Sequence, residues 1–366
     1  MRRVLCRATQ AGVRFLGQGE RQVWPAAALR LLHSCSALVY RQHGPHYDTL
    51  RMEKWALPAV GQHCVRLKML AAPVNPADIN MLQGTYPILP PFPAVGGNEG
   101  VGEVVEVGSE VTCFSPGDWV IPVDAGFGTW RTEVVCDTAD VIKVPSDITL
   151  LGAATIGVNP CTAYRMLHDF EHLQPGDTVI QNGGNSAVGQ AVIQIAAAMG
   201  VKTISVIRDR PNRQDLVEEL MLMGADYVVT EEALQSSEME AIFKKVPKPK
   251  LGLNCVGGQS GGLLLSHLDD GATLVTYGGM AKKPLLLPAK VLIFRNITLR
   301  GFWMTQWKRN TRRDPHLLQS MVSSLCDLVR EGRLSPPRCI PVPFHHYRDA
   351  LEGTLQAHQR KHVLVM

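Results

Sequence analysis

The sequence predicts a two-domain α/β protein, with a doubly wound parallel sheet inserted into a split, β-rich domain. Three observations carry that reading. Residues 178–207 follow the order strand, small-residue turn, apolar helix, strand. Residues 46–165 read instead as short alternating strands separated by Gly and Pro turns. From Pro315 onward a long helix, a Pro-rich turn and a terminal strand at 362–365 return the chain to the first domain. Mixed β-α order implies parallel strands with crossover helices, whereas closely spaced strands with turns imply an antiparallel domain.

In the β-rich part, residues 64–70 alternate apolar and polar side chains. Residues 102–108 alternate as well and end on a glycine, and Ser115-Pro-Gly-Asp118 is a turn ahead of a strand at 119–121. In the inserted part, Thr178–Gln181 reads as a buried strand, 182–188 as a tight turn, 187–199 as a helix and 201–207 as a second strand. A helix at 214–223 and strands at 226–229, 251–255 and 272–277 continue the alternation. The resulting boundaries are 1–45 for a leader, 46–165 with 311–366 for the split domain, and 166–310 for the inserted one. A cleft between the two domains is the expected place for chemistry.

The turn after the first strand is the most informative segment. Small residues there let an anionic group approach the backbone at a helix N-terminus. Gly184-Asn-Ser-Ala-Val-Gly189 departs from the usual dinucleotide fingerprint, with Ser186 at its second glycine, and Gln190-Ala191 excludes a nucleotide-triphosphate loop. The second strand ends at Arg208-Asp209-Arg210. An acid alone at that position suits a free ribose 2′-hydroxyl, whereas two flanking arginines suit a 2′-phosphate. The segment therefore reads as an NADPH site.

Composition narrows the function classes. Apolar residues form 45% and charged residues 19% of 366, which describes an ordinary globular chain long enough for two cores. No apolar run approaches the ~18 residues of a membrane-spanning helix. The formal charge of +4 is local in origin. Residues 1–45 hold seven arginines, no lysine and a single acid, Glu20, so the remainder is slightly acidic and is no nucleic-acid binder. Arginines interleaved with apolar residues and almost no acids make 1–45 a mitochondrial transit peptide, with cleavage expected between Ser36 and Gly44 and the matrix as destination. Nine cysteines stand at irregular intervals without metal-ligand spacing, and no metal site is expected. His168 and His172, four residues apart, lack a third partner and read as a solvated face.

Asn75-Pro-Ala-Asp78, Gly84-Thr-Tyr86-Pro87, Phe92-Pro-Ala-Val-Gly-Gly-Asn-Glu-Gly-Val-Gly102 and Phe114-Ser-Pro-Gly-Asp118 resemble the medium-chain dehydrogenase/reductase superfamily. The resemblance runs over nearly everything after residue 46. It implies a GroES-like catalytic domain beside a Rossmann cofactor domain. Within the superfamily the chain is most similar to the mitochondrial trans-2-enoyl-thioester reductases, through Gly84-Thr-Tyr-Pro87, Asn185-Ser-Ala-Val-Gly189, Arg208-Asp-Arg-Pro211 and Gly301-Phe-Trp303. Zinc enzymes of the superfamily carry a histidine ligand where this chain has Asn98, between Gly97 and Glu99, and a four-cysteine cluster that is missing here.

The resemblance implies NADPH-dependent saturation of enoyl-CoA or enoyl-acyl-carrier-protein thioesters in mitochondrial fatty acid synthesis. Tyr86 is then the proton donor to the α-carbon. Asn159 is expected at the nicotinamide, Asn185, Ser186, Ala187 and Val188 at the pyrophosphate, and Arg208, Asp209 and Arg210 at the adenosine end. Tyr277, Gly278, Gly279 and Met280, with Phe302, Trp303, Met304 and Thr305, are expected to line the nicotinamide pocket, and Lys361 to touch the cofactor. Lys308-Arg309 with Arg312-Arg313 is either a solvated turn or a landing site for CoA phosphates or an acidic carrier protein. Family members pair as homodimers through the edge of the cofactor sheet, and 285–296 is the candidate segment here. Two alternatives stay open: a zinc-free NADPH quinone reductase, and a non-catalytic binding protein on the same fold.

Overall fold

The computed structural model describes residues 33–45, 47–356 and 360–366. Residues 1–32, which hold most of the arginine-rich leader, lie outside the described residues. The expected leader boundary needs correction, however. Ser34–Tyr40 is a strand, β1, whose Ala37, Leu38, Val39 and Tyr40 are buried. It pairs antiparallel with β2 (Arg51–Ala56) on one side and, across the chain, with β4 (Ala94–Val95) on the other. Cleavage between Ser36 and Gly44 would cut or remove the central strand of a three-stranded sheet, so the β-rich domain begins before residue 46.

The second sheet of that domain is seven-stranded and contains β3 (Cys64–Pro73), β5 (Val101–Val107), β6 (Trp119–Pro122), β7 (Glu133–Asp137) and β8 (Val141–Val144). Its remaining strands come from the chain's end: β15 (Cys339–Pro343) and β16 (Lys361–Val365), with β16 antiparallel to β3. Pairing of residues 71–73 with 363–365 is what joins the two halves of the split domain. Between β3 and β4 lies the short helix α1 (Pro76–Leu82), started by Asn75, with proline at its first position.

Residues 146–165 are less strand-like than the sequence implies. They form α2 (Leu150–Thr155) and α3 (Asn159–Asp169), and α3 spans the expected boundary at residue 165. The inserted domain then alternates. β9 (Thr178–Asn182), α4 (Ala187–Met199) and β10 (Lys202–Ile207) open it. α5 (Arg213–Leu222), β11 (Tyr227–Thr230), α6 (Glu238–Phe243), β12 (Leu251–Asn254), α7 (Gly258–His267) and β13 (Thr273–Thr276) follow. α8 (Ala289–Arg295), β14 (Thr298–Gly301) and α9 (Met304–Asn310) close it. All pairings in this sheet are parallel, in the order β11-β10-β9-β12-β13-β14. The order reverses at β9, and the crevice beyond the strand ends at that point is where open α/β sheets bind ligands.

One hydrophobic core is continuous through both domains. Ala71, Val101 and Ile121 of the β-rich sheet pack with Val179, Val192 and Ile195 of the inserted domain. α10 (Pro315–Arg330) closes this core with Leu318, Met321, Val322 and Leu325, a spacing that puts all four on one helical face. The remaining helix, α11 (Tyr347–Leu355), packs beneath β15 and β16.

Candidate active site

The turn after β9 is built for close approach. A β-carbon on Gly189 would stand 2.5 Å from the Gly183 carbonyl oxygen and 2.6 Å from that of Gly184, so only glycine lets α4 pack this tightly on the turn. Ser186 caps α4: its Oγ accepts from the Gly189 N–H at 3.1 Å. The departure from the glycine fingerprint thus adds a helix cap, worth ~1 kcal/mol. Gln190 braces the turn by donating to the Asn185 carbonyl at 2.9 Å. Beneath it Asn182 donates to Asn254 Oδ1 at 2.8 Å and accepts from the Cys255 N–H at 2.8 Å, which ties β9 to β12 without a charge.

Asn185, Ser186 and Ala187 open onto a cleft of about 470 Å³ whose facing wall is Pro76, Ile79, Asn80 and Gln83 on and beside α1. That is within the usual size of a ligand site. Arg208, Arg210, Met280 and Lys361 also line it, while Val188 packs toward the core. Asp209 is held instead by Arg213, at 3.1 Å, leaving Arg208 and Arg210 for an anion. Burial and the neighbouring Arg208 lower the pKa of Arg210. Two further cations, Lys282 and Arg360, line the same cleft. The sequence reading missed both, because nothing local places 282 or 360 beside 208.

On the other side of α1 is a small cavity of about 50 Å³, lined by Asn75, Ala77, Tyr86, Asn98, Val158, Met304, Thr305 and Lys308, among others. Tyr86 is half-buried there. The Trp303 indole N–H donates to the Tyr86 hydroxyl oxygen at 2.8 Å, with the rings edge-to-face and 5.8 Å between centroids. The phenol oxygen is the acceptor in this bond, so its hydrogen is left for another partner. Phe302 packs edge-on against Phe170 at 5.8 Å and serves the core. Tyr277 is half-buried, with its hydroxyl buried, and burial raises its pKa well above the ordinary tyrosine value. Gly278 sits against the Cys255 backbone, and Gly279 has open space around it.

Asn159 is the first residue of α3, and its Nδ2 is buried without a hydrogen-bond partner. Glu99 places that helix start. One carboxylate oxygen accepts from the Val158 N–H at 2.8 Å, and the other from Asn75 Nδ2 at 2.8 Å. Asn75 Oδ1 in turn accepts from the Lys361 amine. Burial holds Glu99 above and Lys361 below their ordinary pKa values. This Lys361-Asn75-Glu99 chain, which runs from the cleft into the interior, was not legible in the sequence. Asn98, at the position of the zinc enzymes' histidine, donates to Asp78 Oδ1 and accepts from the Gly126 N–H, both at 2.6 Å. Burial pushes Asp78 up to about 7. Among the described residues no group of three or more His, Cys, Asp or Glu side chains stands close enough to hold a metal ion.

The basic run at 308–313 divides. Lys308 lines the small cavity and donates to the Gly157 carbonyl at 3.0 Å, and Arg309 pairs with Asp124 at 3.0 Å. Arg312 and Arg313 remain exposed. Trp307 lies under the Arg165 guanidinium, 4.6 Å from its centroid.

Two family models match the chain: the alcohol dehydrogenase GroES-like domain over residues 61–146 and the zinc-binding dehydrogenase over 187–320. A human protein described as a mitochondrial enoyl-acyl-carrier-protein reductase is 56% identical over 320 residues, which is 87% of this chain and 85% of that one. The solved Etr1p complex with NADP and crotonyl-CoA superposes with a TM-score of 0.85 at 34% identity, covering 91% of this chain and all of that one. The mitochondrial 2-enoyl thioester reductase Etr1p/Etr2p heterodimer from Candida tropicalis gives the same TM-score, identity and coverage.

Proposed function

Because the chain belongs to the mitochondrial enoyl-acyl-carrier-protein reductases of the medium-chain dehydrogenase/reductase superfamily, we propose that it saturates trans-2-enoyl thioesters with NADPH in mitochondrial fatty acid synthesis. The observation that carries the reading is the Trp303–Tyr86 hydrogen bond, made beside a basic cleft that ends on the dinucleotide turn.

The residues present fit the cofactor. The turn 185–187 offers backbone at a helix start to a pyrophosphate, and Arg208 with Arg210 offers charge to a 2′-phosphate. The orphaned amide of Asn159 is a donor that a nicotinamide carboxamide would satisfy. When bound, NADPH supplies a hydride to the β-carbon of the substrate.

The protein's own groups handle the charge and the proton. As the β-carbon is reduced, negative charge develops over the thioester oxygen and the α-carbon. The Tyr86 hydroxyl gives its proton to the α-carbon, and the Trp303 N–H stabilises the phenolate left behind. A phenol suits this role because it stays protonated at neutral pH yet can yield its proton to an enolate. Asn98, at the position where zinc relatives use a metal ligand, is engaged by Asp78 and Gly126 and so braces the wall of the small cavity.

Comparing NADPH oxidation with trans-2-hexenoyl-CoA and with a small quinone tests the reading. Turnover with the thioester exceeding that with the quinone supports it, and the reverse returns the chain to quinone reduction. We further propose a homodimer through β14. That strand ends the cofactor sheet with all four residues exposed, and the exposed Leu286, Ile293 and Phe294 are close to it in sequence. Sedimentation should show a dimer that Phe294→Asp converts to monomer.

A further inference from the structure

The loop that carries Tyr86 runs from Gly84 to Phe92, and one side chain from far away in sequence touches both of its ends. At the start, Gly84 has a φ of +73°, and a β-carbon built on it would lie 2.8 Å from Cγ of His43. The imidazole therefore lies directly against the loop backbone, two residues before Tyr86. At the far end the His43 ring is 4.7 Å from the ring of Phe92. Tyr40 supports the group from beneath, 5.7 Å edge-on from Phe92 and 6.2 Å from His43.

Two hydrogen bonds hold the same segment to the loop's root. The Gly44 N–H donates to the Leu82 carbonyl at 3.1 Å, and the Gln83 amide donates to the Pro45 carbonyl at 3.3 Å. Tyr40, at the end of β1, is itself buried and paired with Ala94. The brace is thus anchored in a sheet rather than in another loop. His43 Nδ1 is buried without a hydrogen-bond partner, so the ring acts here by its shape.

We infer that His43 is a positioning residue for Tyr86, clamping both ends of the catalytic loop so that the phenol meets Trp303 and the substrate. The inference rests on the reading of Tyr86 as the proton donor. Reaction geometry is sensitive to displacements of about 1 Å, which can cost about 100-fold in rate. His43→Ala frees the loop without touching the cleft, and should lower kcat by roughly 10–100-fold while KM changes little. NADPH should bind with unchanged stoichiometry and affinity, because His43 lines neither the cleft nor the cavity.

The conservative variant separates positioning from general stability. His43→Phe restores an aromatic clamp and removes an unsatisfied nitrogen, so its kcat should return to within about threefold of wild type. Gly84→Ala attacks the same contact from the loop side, and should lose kcat in a way that does not multiply with His43→Ala. If His43→Ala fails to fold, His43→Leu, which keeps bulk but not the ring, takes its place in both comparisons. The inference is overturned if His43→Ala keeps wild-type kcat per NADPH-binding site. It is equally overturned if His43→Phe is as slow as His43→Ala, or if the His43 and Gly84 losses multiply. Wild-type and Tyr86→Phe controls run beside these. A wild type inactive on crotonyl-CoA, or an active Tyr86→Phe, refutes the parent reading, whereas a failure confined to the His43 and Gly84 variants refutes only the clamp.

Discussion

The dinucleotide turn and the Tyr86 loop line separate cavities on either side of α1 and are held in opposite ways. The turn is held mostly by local contacts: Ser186 caps the helix that begins one residue later, Gln190 reaches back five residues, and Gly189 packs on carbonyls six and five residues before it. The loop is held from a distance, by Trp303 across 217 positions and by His43 across about forty. A locally held turn tolerates change elsewhere in the chain, whereas the loop depends on two other segments arriving correctly. Cofactor binding and turnover should therefore fail independently.

The largest effect expected from that independence is at Tyr86. Tyr86→Phe removes the proton and the acceptor of the Trp303 bond, and should lower turnover by roughly 10²–10⁴-fold with NADPH affinity unchanged. Fluorescence titration of NADPH beside steady-state rates checks both halves. Next are the converse variants. Arg208→Ala and Arg210→Ala, made singly, should each weaken NADPH by roughly 10–100-fold relative to NADH, since one charged hydrogen bond is worth about 1.5–3 kcal/mol. Turnover at saturating NADPH should stay near wild type; a matching loss of kcat would mean that the two regions are coupled after all.

A smaller effect is expected at Trp303→Phe, which keeps an aromatic edge but deletes the donor to Tyr86. A drop in kcat of about 5–20-fold follows from one lost hydrogen bond to a developing charge. The smallest lies in stability. Burial lifts Asp78 to about 7, so its protonated form favours folding. That contribution is fully present below the unfolded value near pH 4 and is lost as the pH rises through about 7. Melting temperature should fall over this window in the wild type, and Asp78→Asn should flatten the fall by roughly 2–5 °C.

The same contrast explains what could be read from the sequence. The β9-α4-β10 unit was legible almost to the residue, because apolar periodicity and helix punctuation are local signals. The order of the split domain was legible from its turns. The leader boundary was not: Ser34–Tyr40 follows an arginine-rich stretch closely, and only pairing with residues 51–56 and 94–95 makes it a strand. Residues 150–165 read as strand-rich in the sequence because α2 is only six mostly apolar residues, too short to show a helical period, and α3 crosses the boundary into the next segment. In the site, the Gly-rich turn and the arginine pair announce themselves by spacing. Lys282, Arg360, the Glu99–Asn75–Lys361 chain and the His43 clamp join residues from separate segments, and no window along the chain contains them.

The central claim is that hydride and proton add to different carbons of an enoyl thioester, the proton arriving from Tyr86. Isotope placement in the product tests it most directly. With crotonyl-CoA, deuterium carried by NADPH should appear only at the β-carbon, and deuterium from heavy water only at the α-carbon, with Tyr86→Phe slowing the second incorporation. Cofactor-derived deuterium at the α-carbon, or solvent label entering as fast without the phenol, would contradict the account.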